Sequence, residues 1–262
     1  MTALFDMELR TLRRDRAARI GPELFLFERT FEDCLERITL PQRRFERALL
    51  IGCPDPAWRV RLSEVAGGVD VADPGRLFGK AAGGTLLIED EWSPSPHIYD
   101  LVLAIGTLDT VNDLPRTLRS IFTAMQPGSL LIGAMSGGDT LPQLRSTMRA
   151  ADAAFGAAMA HVHPRIEASA LASLLTAAGF INPVVDVDRI QVAYPSLDRL
   201  VADLRAMGAT NILTARPRQP LLRAALTVAE QAFAQAGAGG PTTETFEILH
   251  FAAWTKTAMP PR

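Results

Sequence analysis

Apolar residues follow two rhythms along this chain. In the stretch 23–38, Leu24, Phe27, Phe31, Leu35 and Ile38 recur every three or four positions, which predicts a helix with one buried face. Residues 6–20 predict a helix before it, split off by Gly21-Pro22. Other apolar runs are short and continuous, as in strands covered on both faces. Residues 47–52, 68–75, 83–92, 99–108 and 129–138 predict five such strands, the second ending at Asp73. Residues 183–194 alternate apolar with polar and predict a sixth, and 245–255 a last one. Helical stretches lie between them. One starts at Asp55-Pro56 and runs to about Val65, ending at Gly67-Gly68. Others cover 114–128, closed by Pro127-Gly128, then 141–160, 167–180, 196–207 and 219–236. Strands alternating with helices imply a mainly parallel, doubly wound α/β sheet.

Composition narrows the function classes. The chain has 262 residues, 48% hydrophobic and 21% charged, with a net charge of −2. That is ordinary for a globular domain and gives no whole-molecule electrostatic case for nucleic acid. No apolar run reaches the roughly 20 residues of a membrane span. Cys34 and Cys53 form neither a metal spacing nor a disulfide framework, so a reducing compartment, the cytoplasm, is expected. The first residues include Asp6 and Glu8 and lack the apolar core of a signal peptide. Arg10, Arg13, Arg14, Arg16 and Arg19 then make the first helix basic. They read as a solvated face, or as an arm for an acidic partner.

Four stretches carry a family resemblance: RRFERALLIGC, YDLVLAIGTLDTVNDLP, GGDTLPQLR, and the long AAGFINPVVDVDRIQVAYPSLDRLVADLRAMGATN. On them the chain resembles the class I S-adenosylmethionine-dependent methyltransferases. Within these it looks most like the branch of the methyltransferase-like assembly factor of respiratory complex I, related to the malonyl-carrier-protein methyltransferases. The resemblance implies a Rossmann-like seven-stranded sheet with an antiparallel last strand, N-terminal helices and a helical insertion before the last strand. It implies one domain over 1–262: helices in 1–40, a cofactor-side half over 45–138, and a substrate-side half over 139–262 with the insertion at 196–240.

S-adenosylmethionine is the cofactor the resemblance implies, and Gly52, Asp73, Glu89 and Asp90 are the positions that match its site. Gly52 keeps the first glycine of the turn after the first strand. Asp73 matches the acid that holds the ribose hydroxyls, and it also suits a turn before Pro74. Glu89 and Asp90 match an acid near the adenine, and also suit a solvated strand end beside Glu91. The departures are specific. Leu50 stands at the family's acidic position, and Pro54 and Pro56 at its second and third glycines. Proline removes an amide and adds a ring where a ligand would approach. Residues 104–110 replace the polar run after the fourth strand. The expectation is therefore a methyltransferase-fold protein with an impaired S-adenosylmethionine site, or no cofactor, acting through a protein partner. The alternative is a working methyltransferase, or a related arginine-modifying enzyme, with a protein substrate.

The remaining chemistry is thin. His161 and His163 offer half a metal site. His250 lies in the last strand, and Cys53 at a helix start where a thiol pKa can fall. Asp139 borders the substrate side, and Trp58 and Trp92 fall near the expected crevice.

Overall fold

The computed structural model describes residues 3–40, 43–156 and 158–257. Seven strands form one sheet: β1 (Phe45–Ile51), β2 (Ala66–Asp73), β3 (Thr85–Leu86), β4 (Tyr99–Ile105), β5 (Met125–Ser136), β6 (Ile181–Tyr194) and β7 (Thr242–Trp254). Their order is β3-β2-β1-β4-β5-β7-β6. β1 to β5 run parallel, while β7 is antiparallel to both β5 and β6. The order reverses between β1 and β4, so a crevice opens at the carboxyl ends of those strands.

Helices cover both faces. One side carries α2 (Phe25–Thr39) and α3 (Ala57–Leu62), whose Phe31, Ile38, Trp58 and Leu62 pack on Leu50, Leu101, Leu103 and Ile132. The other carries α5 (Leu114–Ala124) and α7 (Ala168–Ala178), whose Leu118, Ile121, Leu171 and Leu175 pack on Leu49, Val102, Leu131 and Leu249. Alternate residues of one strand thus feed opposite cores. α6 (Pro142–Ala154), α8 (Leu197–Ala206) and α9 (Arg223–Ala236) build a third core on Tyr194 and Phe246. α1 (Met7–Ile20) and the short α4 (Arg76–Ala81) lie at the carboxyl end of β2. Among the described residues, no helix is long and apolar enough to cross a membrane.

Several boundaries differ from the sequence reading. α3 stops at Leu62, where the Ser63 hydroxyl donates to the Val60 carbonyl at 2.5 Å. Gly67 and Gly68 belong to β2, and a Cβ on Gly67 would lie 3.1 Å from the Glu46 carbonyl of β1. Pro127-Gly128 lies inside β5 rather than closing a helix. Proline donates no ladder bond, and the β4–β5 register shifts there, between Tyr99 and Leu101. β3 is two residues long, because 89–91 turns away as a 3-10 turn. The helix read over 141–160 ends at Ala154, and residue 157 of that stretch lies outside the described residues.

Candidate functional site

The crevice begins at Gly52, which ends β1 with φ +83°. A side chain there would run into the Ile105 carbonyl of β4 and come within 2.7 Å of the Thr107 methyl. Glycine is therefore demanded by strand packing, whatever else the turn does. The turn's amides are already used. Gly52 N–H donates to Ala72 at 2.9 Å, and Cys53 N–H to the Asp73 carboxylate at 2.8 Å. Asp55 takes the Ala57 amide at 2.9 Å, as a helix-starting Asp should. Pro54 is buried and Pro56 exposed, and neither has an amide to offer.

Asp73 is fully buried. Its carboxylate accepts Nε of Arg14 at 2.9 Å, Nη2 of Arg14 at 2.6 Å, and the Gly75 amide at 2.6 Å. The turn role and an ion-pair role are thus combined in one residue. Glu89 is also fully buried and grips Arg10 through two bonds of 2.6 and 3.0 Å. Arg10 gives one further bond, 2.6 Å, to the Thr107 carbonyl. The solvated strand end expected at 89–91 does not form, since a buried guanidinium holds Glu89 inside. Asp90 turns elsewhere and accepts the Asn112 and Asp113 amides, at 2.9 to 3.1 Å, ahead of α5.

Arg10 and Arg14 are four residues apart on α1, so they project from one face. The basic helix expected to be solvated instead buries two of its arginines in the crevice. Asp6 caps its start by accepting the Leu9 amide at 2.9 Å, and Asp15 accepts the Leu77 amide at 2.9 Å. Burial alone would lower the Arg14 pKa. The charge and hydrogen bonds of Asp73 outweigh that and hold it above its ordinary value. Sequence periodicity missed this face because it is not apolar. The available signal was the i, i+4 arginine pair together with acids at two strand ends.

Between α2 and the ends of β4, β5 and β7 lies a second cavity of about 60 Å³, lined by Phe27, Gly106, Met135, Arg165 and Ile248. That is room for a few waters. Arg165 pairs with Asp109, which stands in the altered 104–110 run.

The other sequence candidates do not converge. Cys53 is buried and its thiol is pushed up to about 12, by burial first and then by Asp73 and Asp55, so it is a packed thiol. Trp58 stacks on Phe31 with centroids 4.5 Å apart and donates to Glu28 at 2.7 Å, on the α2 side of the sheet. Trp92 packs against the opposite core. His161 pairs with Asp152 at 3.0 Å, while His163 accepts the Ile212 amide at 3.0 Å, so the two imidazoles serve different loops. Asp139 has a side chain 70% exposed, loosely opposite Arg189. His250 is buried with Asp33 3.7 Å away. Ligand atoms of Asp33, Asp188 and His250 lie within 4.8 Å of one another under α2, but Arg29 already pairs with Asp188 at 3.1 Å.

Residues 30–182 match the methyltransferase-domain family. The chain is 32% identical over 268 residues to the arginine-hydroxylase NDUFAF5, mitochondrial, of Rattus norvegicus, covering 96% of this chain and 77% of that protein. The chain belongs to the methyltransferase-domain family, in the NDUFAF5 branch. The chain is also 30% identical over 183 residues to the malonyl-[acyl-carrier protein] O-methyltransferase of Xylella fastidiosa, covering 64% of this chain and 60% of that protein. Among solved structures the YcgJ protein of Bacillus subtilis superposes with a TM-score of 0.59 at 9% identity, over 87% of this chain and 100% of that one. The Haemonchus contortus phosphoethanolamine N-methyltransferase 2, solved with S-adenosylhomocysteine, gives 0.53 at 14% identity, over 87% and 52%. These likenesses bear out the class I methyltransferase fold, including its antiparallel last strand. Of the three acids matched to the nucleoside, α1 engages Asp73 and Glu89, and Asp90 is held by Asn112 and Asp113.

Proposed function

We propose that this protein works through protein contacts, in the assembly or maturation of a respiratory-type complex, with its S-adenosylmethionine site closed by α1. One observation carries the reading. Of the three acids that the resemblance matches to the nucleoside, Asp73 and Glu89 are fully buried and bonded to Arg14 and Arg10, and Asp90 is taken by the Asn112 and Asp113 amides. A ribose diol and an adenine would meet guanidinium groups where they need acceptors. The turn adds no free amide at positions 52 to 54. The residues as arranged do not fit S-adenosylmethionine. Both cysteines are free and buried, which supports a reducing setting such as the cytoplasm.

Calorimetry with S-adenosylmethionine and S-adenosylhomocysteine on the purified protein tests this, with mass spectrometry for co-purifying ligand. The expected result is no binding heat and no carried-over nucleoside. A micromolar dissociation constant, about −8 kcal/mol, would overturn it.

A second reading is favoured by the relatives' name, arginine-hydroxylase. Two guanidinium groups seated on buried carboxylates show that this crevice suits arginine side chains. On that reading α1 is a displaceable occupant and a partner's arginine takes its place. It requires cofactor binding once α1 is removed. Calorimetry on an Arg10→Ala/Arg14→Ala variant that keeps the wild-type circular dichroism spectrum then gives micromolar binding where wild type gives none.

A further inference from the structure

The other face of α1 is also basic, and it borders the roomiest concavity described in this fold. A cleft of about 520 Å³ is walled by Arg13 and Arg16 of α1, Arg205 of α8, and Arg216 and Arg218 of the 207–222 loop. Three separate elements thus bring five arginines to one hollow. Asp6 is the one carboxylate, among the described residues, ion-paired to any of the five, 3.1 Å from Arg216. The Nε atoms of Arg13 and Arg16 are buried and have no hydrogen-bond partner. Arg16 makes a single side-chain bond, to the Thr210 hydroxyl at 3.1 Å. Burial, with repulsion from Arg13 and Arg205, holds the Arg16 pKa below its ordinary value. Like charges gathered around a hollow cost stability unless an anion sits among them.

We propose that this cleft binds a compact polyanion carrying at least two phosphoryl groups, a diphosphate being the smallest. Guanidinium forks match phosphoryl oxygens two by two, and five of them exceed what a single phosphate can engage. The arginines come from three elements around one hollow rather than from one helix face, which suits clustered charge over an extended acidic peptide. No Phe, Tyr or Trp lines the cleft, so it offers no platform on which a base would stack. The ligand is read through its phosphoryl groups alone. Arg13, half-buried on the side of α1 away from the crevice, thereby gains a role that the crevice does not give it.

The test is calorimetry on the full chain at low salt, with sodium pyrophosphate, orthophosphate and ADP as probes. One pyrophosphate binds per chain, ADP binds with the same affinity, and orthophosphate binds at least about tenfold more weakly. Arg205 and Arg218 are exposed and carry no ion pair among the described residues. An Arg205→Gln/Arg218→Gln variant therefore keeps the wild-type melting curve and loses about tenfold or more in pyrophosphate affinity. Pyrophosphate binding no tighter than orthophosphate overturns the proposal, as does an unchanged affinity in the variant. Binding of ADP without pyrophosphate overturns it too. So does association with phosphatidylglycerol vesicles in place of pyrophosphate binding, which would make the cleft a membrane-facing patch. Should the variant misfold, the wild-type ranking of the three probes decides alone.

Discussion

Replacing Arg14 by methionine lowers the unfolding free energy by about 3–5 kcal/mol, as does replacing Asp73 by asparagine. Both side chains are almost fully buried, at 7% and 0% exposure, so either change strands a partner that water cannot reach. In the first case the Asp73 carboxylate keeps only the Cys53 and Gly75 amides. In the second the Arg14 guanidinium loses its counter-charge and keeps the Phe78 ring, 5.3 Å away. The double replacement costs clearly less than the two summed, because a neutral pair of similar size removes both stranded charges. The coupling is about 2 kcal/mol or more by guanidinium-chloride unfolding. Single losses below about 1 kcal/mol, or additive ones, would mean that α1 does not dock on the crevice in solution.

Acid weakens the fold through His163. Its ring is buried, accepts the Ile212 amide, and meets Phe5 edge-on with centroids 5.3 Å apart. Burial, helped by Arg165, pulls its pKa down to about 4, against Asp109, which acts to raise it. An unfolded histidine titrates near 6.5. Between those values the unfolded chain binds a proton that the folded chain refuses, so stability falls as pH drops through this window. The full contribution, present above about pH 6.5 and gone below about pH 4, is about 3 kcal/mol. His163→Gln keeps an acceptor for Ile212 and has nothing to titrate. Other groups move in the same range, so the informative quantity is the stability gap between wild type and variant. That gap narrows by about 2 kcal/mol from pH 7 to pH 4.5, read from denaturant midpoints. A gap independent of pH would show that His163 takes up its proton as readily inside the fold as in the unfolded chain.

The sheet was readable from the sequence because its signals are local. A continuous apolar run at 99–105 can only be a strand covered on both faces, and alternation at 183–194 gave β6 and its half-exposed face. Helix α2 announced itself by apolar spacing, and the Gly52 turn by a glycine after a buried run. The crevice was harder because its determinants lie far apart. Asp73 and Glu89 are 59 and 79 residues from the arginines that hold them, and nothing local marks either pair. Arg10 and Arg14 follow the same rule of spacing as a solvated face, since the rule counts apolar residues and α1 buries almost none. The 89–91 turn was mistaken for strand because three acids in a row look like an exposed end, and only Arg10 makes the interior tolerable for one of them.

α1 precedes both of its anchors along the chain, so its resting place does not exist until the chain has grown past residue 89. With almost no apolar face, it gains nothing from early collapse and waits as a loose, basic helix. It seats only when both carboxylates have been made and brought to the same end of the sheet. In hydrogen-exchange experiments followed during refolding, its amides gain protection after those of β1 and β4, so that the helix is placed after the strands it precedes in the chain.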